Sequence, residues 1–205
     1  HSTWIDYFNL LQKPPETIIA HISLQSPAHA RNVMIEQAIE KECSHILFLD
    51  DDIIPLPTII NDLLAHDKDI VSGLYLSRQY PHRPILFKEM RPDGYCSNDI
   101  LNGVDENLIE IAACGLGCCL VKLSVLKSME PPWIRLGELE KDEWCDDIGF
   151  CYRLTQLGYK MYCDLNSPCG HMGSVIIRPH KINGSWFTSY GAYSTSVVTF
   201  PQAKE

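Results

Sequence analysis

Three consecutive aspartates, Asp50, Asp51 and Asp52, close an apolar run in residues 45–52, His-Ile-Leu-Phe-Leu-Asp-Asp-Asp. A continuous apolar run of this length reads as a strand buried on both faces of a parallel sheet, which makes its acidic end the exposed end. Open α/β sheets bind their ligands beyond the carboxyl ends of the strands, and adjacent carboxylates in such a crevice repel one another unless a cation joins them. Mg²⁺ or Mn²⁺ is the expected cation. These hard ions take oxygen ligands, and Mg²⁺ is commonly held by one or two carboxylates together with substrate phosphates. A phosphate-bearing substrate is therefore implied. The plain alternative is a solvated acidic turn, which accumulates repulsion without structural gain.

Other residue groups carry chemistry further along. Cys114-Gly-Leu-Gly-Cys118 breaks an apolar run with Gly115 and Gly117. Asp146 and Asp147 follow Trp144 and open a predicted helix, and His171 sits in Cys169-Gly-His after a predicted final strand. Arg31 lies in Pro-Ala-His-Ala-Arg-Asn, where its planar fork can hold a phosphate or pair with a carboxylate. Arg178 and His180 follow His171 closely enough to close over a bound phosphate from a loop; solvated loop charges are the alternative.

The elements that would position these residues alternate. A helix over 3–12 precedes Pro14-Pro15, and residues 17–24 read as a strand. Ser26-Pro27 starts a helix to about Glu42, with Ala30, Met34, Ala38 and Ile35 on its apolar side. Next come the acidic-ended strand, a helix over 55–66 and a strand over 69–76. This order argues a parallel sheet with right-handed crossovers. Beyond it lie a strand over 84–87, the apolar run 108–120, a short helix over 124–129, a helix from the acidic tract 138–147 to Gly158, and a strand over 159–164. The Ser-, Thr-, Gly- and Tyr-rich stretch beyond Asn183 reads as a surface-draped tail.

Composition narrows the class. The chain has 205 residues, 45% hydrophobic and 21% charged, the balance of one soluble globular domain. No apolar stretch reaches the roughly 18 residues of a membrane span, and no signal peptide is visible at His1. A net charge of −9 disfavours a broad nucleic-acid footprint. Nine cysteines without a Cys-x-x-Cys pair read as buried reduced thiols and point to a reducing cytoplasm. A zinc site drawn from Cys163, Cys169 and His171 is the alternative use of that chemistry.

In their order along nearly the whole chain, these motifs resemble the GT-A fold of metal-dependent, nucleotide-sugar glycosyltransferases, in particular small family-2-like viral and bacterial ones. The resemblance implies one α/β domain over residues 1–183, with a mostly parallel central sheet flanked by helices, its first strand missing or upstream, and a tail over 184–205. It implies that Asp52 binds Mn²⁺ or Mg²⁺ directly, that Asp50 contacts donor ribose or the metal's water shell, with Asp51 beside them, and that His171 is a further metal ligand. Arg31 matches a donor-contacting arginine. Asp147 matches the base that deprotonates the acceptor hydroxyl in inverting enzymes, with Asp146 as its neighbour. Gly115, Leu116, Gly117 and Trp144 match acceptor-side positions. The expected donor is a UDP-sugar; a glycan, a protein or a modified base of viral DNA is the acceptor, and another domain or subunit completes its binding region. Two rivals are a nucleotidyltransferase, although no glycine-rich basic loop lies near the first strand, and a non-catalytic binding domain stabilised by metal at the Asp cluster or a Cys/His zinc site.

Overall fold

The computed structural model describes residues 2–23, 26–91, 96–97, 101, 104, 106–135, 146–191 and 197–199. Helix α1 spans Ser2–Leu10 and α2 spans Pro27–Glu40. Ser26 caps α2 by accepting the amide of His29, and Pro27 occupies its first turn. Strands β1 (His45–Leu49) and β2 (Ile53–Ile54) flank the aspartates, followed by α3 (Ile59–Ala65) and β3 (Ile70–Leu74). Short strands β4 (Leu86–Phe87), β5 (Glu89–Met90) and β6 (Cys96–Ser97) lead to β7 (Leu108–Ile111), β8 (Ala113–Cys114) and β9 (Cys118–Lys122). Helices α4 (Leu123–Lys127) and α5 (Asp146–Gln156) precede β10 (Met161–Pro168), β11 (Gly170–Met172), β12 (Ile176–Ile182), β13 (Ser185–Gly191) and β14 (Val197–Thr199).

The main sheet has the order β1-β9-β3-β10-β7. Among the described residues its only parallel pair is β3 with β10; β9 runs antiparallel to β1 and β3, and β7 antiparallel to β10. The expected mostly parallel sheet is thus corrected to a mixed α/β fold with mainly antiparallel pairing. The run 108–120 made this error: it reads as one apolar stretch, but its glycine turn sends β9 back between β1 and β3. Even so, β1, β3 and β10 all point one way, so the acidic end of β1 still lies at a shared edge.

Side chains alternate across this sheet. Phe48, Ile70, Cys119 and Val121 face a large core with Ile35 of α2, Leu126 of α4 and Phe150 of α5. Val71, Cys118 and Leu120 face a second core with Ile59 and Leu63 of α3 and Leu11. Among the described residues, Cys43, Cys114, Cys118, Cys119, Cys151, Cys163 and Cys169 are free thiols, and all of these but Cys43 are buried. Gly158 (φ +83°) ends α5, with the amide of Tyr159 reaching the carbonyl of Leu154.

A second sheet, β14-β13-β12-β11-β2, is wholly antiparallel. Residues 185–191, expected in a surface tail, form its β13. Residues 17–23, expected in a strand, have none, and Ile18 and Ile19 are exposed. No helix among the described residues is long and apolar enough to cross a membrane.

Candidate active site

The chain after β1 turns sharply, with the amide of Ile53 donating to the carbonyl of Asp50 at 3.1 Å. This turn sends the three aspartates different ways. Asp51 is exposed. Asp50 faces α2, where both its oxygens accept from Arg31 Nη2 at 3.0 and 3.1 Å. Asp52 faces the second sheet, and its carbonyl accepts the amide of Met172 at 2.7 Å.

Arg31 is the hub of the first group. Buried residues Ala28, Arg31, Ile35 and Ala38 fall at helical spacing, so the guanidinium emerges on the packed face of α2. Its Nη1 donates to Asp146 Oδ2 at 3.0 Å and Asp147 Oδ1 at 2.8 Å. One cation thus serves three carboxylates. Burial alone would lower the arginine's pKa, but Asp147, Asp50 and Asp146 together raise it above the ordinary value. Asp147 shares that one cation with two other acids. Burial therefore pushes its carboxyl up to about 6 despite Arg31, and Asp146 and Asp50 add to the rise.

The glycine turn supports this group. Leu116 donates its amide to Asp147 Oδ2 at 3.1 Å, Gly117 donates to the Tyr75 hydroxyl at 3.1 Å, and Asp50 donates its amide to the carbonyl of Gly117 at 3.0 Å. A Cβ at Gly115 would collide with the Tyr75 hydroxyl. The turn is therefore small because Tyr75 packs on it; Gly115, Leu116 and Gly117 are buried and offer backbone rather than an open sugar-binding face.

Asp52 Oδ2 lies 3.5 Å from His171 Nε2 and 2.9 Å from Arg78 Nη1. Burial would raise the Asp52 carboxyl, but the hydrogen bond and charge of His171, with Arg78, hold it below the ordinary carboxylate range. His171 Nδ1 lies 2.6 Å from the carbonyl of Leu76 and must donate, since a carbonyl only accepts. Nε2 is therefore the ring nitrogen that faces Asp52, and with a carboxylate oxygen 3.5 Å away it forms a suitable pair of ligand atoms for a small divalent ion. Among the described residues, no group of three or more His, Cys, Asp or Glu could hold a metal, which covers Cys163, Cys169 and His171 as well as the aspartates.

The structure therefore brings together Asp50, Asp146, Asp147 and Arg31, and separately pairs Asp52 with His171. Arg31 is 7% exposed and committed to carboxylates rather than open to a donor. Arg178 and His180 lie on the other face of the second sheet from His171, since His171 is in register with Ile177. Trp144 lies outside the described residues. Tyr75 and Arg78 were missed from the sequence: an arginine in a proline-rich loop and a tyrosine inside an apolar strand carry no motif.

Residues 25–84 match the Anp1 family, less than a third of the chain. Thirteen solved chains match in fold, among them A197 from STIV, at 14% identity and a TM-score of 0.59, covering 90% of this chain and 81% of that one. No curated protein matches. These findings correct the resemblance drawn from the motifs: the family profile matched is Anp1 rather than a GT-A family, and the central sheet is mixed.

Proposed function

We propose that the chain is a metal-dependent glycosyltransferase that moves a sugar from a nucleoside-diphosphate sugar to an acceptor hydroxyl. The observation that carries this reading is the gathering of Asp50, Asp146 and Asp147 on the buried Arg31, beside the Asp52–His171 pair and at the carboxyl end of β1. Four carboxylates there face two guanidiniums, an excess of negative charge that favours a divalent cation. The partial match to Anp1, a mannosyltransferase-like family, supports sugar transfer.

Asp52 and His171 would hold Mn²⁺ or Mg²⁺, with the diphosphate and water as the remaining ligands. When bound, the ion would offset the charge that develops on the leaving diphosphate. Asp147 is the acceptor's base. A carboxyl titrating near 6 is mostly ionised at neutral pH yet far more basic than an ordinary aspartate. Arg31 and the Leu116 amide fix its two oxygens, while 17% of its side chain remains exposed toward an incoming hydroxyl. Direct proton removal by Asp147 as the acceptor attacks corresponds to inversion at the anomeric carbon.

A panel of UDP- and GDP-linked sugars, each with and without Mn²⁺, tests the reading by thermal shift. A ligand at 100 times its dissociation constant adds about 2.7 kcal/mol to the folded state. One donor should raise the melting temperature only with the metal present. A panel without any metal-dependent shift would overturn the proposal.

A further inference from the structure

Arg178 and His180 stand two residues apart on β12 and so share a face, the one opposite the Asp52–His171 pair. With Tyr7, Pro55, Pro57 and Pro168 they line a groove of about 330 Å³ beneath α1. Both ring nitrogens of His180 are buried without a hydrogen-bond partner. A buried polar group without a partner is disfavoured, and the groove beside this imidazole has room for a group that would pair with it. Its ring is fixed by stacking on Phe187, with centroids 5.8 Å apart.

The guanidinium of Arg178 lies 5.8 Å from the centre of the Tyr7 ring, and no carboxylate among the described residues pairs with it. Gly170 gives it room to lie across β11: a Cβ there would stand 3.1 Å from Arg178 Nε and 2.7 Å from Ile176 Cγ2. A guanidinium without a carboxylate partner among the described residues and an imidazole without a hydrogen bond there stand roughly 7 Å apart along one strand face, a spacing that an oxyanion between them can bridge. That suits a tetrahedral phosphate better than a flat carboxylate. The prolines and the Tyr7 ring give the groove an apolar wall for the face of a ring, and its volume sits at the small end of ligand sites.

We propose that this groove binds a small ring-bearing phosphate monoester, at a site separate from the carboxylate cluster. A sugar phosphate and a nucleoside monophosphate share this chemistry. The full chain is titrated calorimetrically in EDTA with UMP, glucose 6-phosphate and inorganic phosphate, with uridine and glucose as uncharged controls. At least one ester should bind about tenfold more tightly than inorganic phosphate and than its uncharged parent, and the tighter ester identifies the source. Arg178→Met and His180→Phe should each weaken it about tenfold, and Asp52→Asn should leave it unchanged. Arg178→Lys keeps charge and stem but loses the planar fork; it should melt like the wild type and still bind several-fold more weakly. The proposal is overturned if neither ester binds with a dissociation constant below about 10 mM, a binding free energy near −2.7 kcal/mol. It is overturned equally if Arg178→Lys and His180→Phe bind like the wild type, or if Asp52→Asn abolishes binding.

Discussion

Replacing Arg31 with methionine keeps most of the side chain's length and removes its charge. Arg31 makes four contacts of 2.8–3.1 Å to Asp50, Asp146 and Asp147, and it is 7% exposed. Breaking a buried ion pair by removing one partner costs about 3–5 kcal/mol, because the other charge stays buried and uncompensated. For a chain of this size each kcal/mol moves Tm by roughly 2–4 °C, so Arg31→Met should melt about 6–20 °C below the wild type at pH 7.5. The loss must depend on pH with a definite sign. Asp147 is already raised from 3.8 to about 6 with Arg31 present, and removing the cation raises it further. A carboxyl raised in the folded state contributes stability that is present below its unfolded pKa and is lost as pH rises through its folded pKa. The deficit should therefore be small near pH 4, grow through pH 6 and be largest near pH 8. Adding Asp146→Asn and Asp147→Asn to Arg31→Met should recover more than half of it at pH 7.5. Calorimetric melting from pH 4 to 8 reads all of this. A deficit under about 2 °C at pH 7.5, well below the range expected for a broken buried pair, or one that shrinks as pH rises, would refute the argument.

The remaining predictions concern the chemistry. Asp147→Asn should slow sugar transfer 10²- to 10⁴-fold with donor affinity unchanged, and its melting temperature relative to the wild type should rise between pH 4 and pH 7, since the amide has no buried charge to form. The wild-type kcat/KM should climb through about pH 6 and then level, the base acting only once ionised; a flat profile from pH 5 to 8 would speak against Asp147. His171→Ala should weaken Mn²⁺ binding in the presence of UDP about 10-fold or more, measured by calorimetry, and unchanged affinity would remove it from the metal's ligands. Asp51→Ala should cost less activity than Asp50→Ala or Asp52→Ala, because Asp51 alone of the three is exposed; equal losses would contradict the turn geometry.

How much of this was legible in the sequence depends on how local the signal was. The apolar run ending in three aspartates marked β1 and the acidic turn at its end, but not its burial: β1 is an edge strand paired antiparallel with β9, and of its five residues Phe48 is the buried one rather than both faces being covered. It did not mark where each carboxylate would point, since a strand continued through Asp52 gives alternation, whereas the Asp50–Ile53 turn separates the acids by partner. The role of Arg31 was half visible: the apolar side drawn through Ala30, Met34, Ala38 and Ile35 contains three buried residues, but the charged Arg31 is buried beside them because carboxylates from other elements meet it, a tertiary contact the helix spacing does not show. The shared direction of β1, β3 and β10 was legible from the alternation of strands and helices, whereas the reversed direction of β9 was not. The glycine turn before β9 reverses the chain because Tyr75 of a distant segment packs against it, a tertiary contact without a local signature.

The central claim, metal-dependent sugar transfer at the carboxylate cluster, is tested most directly by following nucleoside diphosphate release from the donor selected by thermal shift. The measurement uses wild type and Asp52→Asn, each with Mn²⁺ and with EDTA. Release by the wild type is expected only with Mn²⁺, reduced at least about 100-fold in Asp52→Asn, the order lost with a single charge-stabilising group. Release that persists in EDTA, or that Asp52→Asn leaves at the wild-type rate, would contradict it.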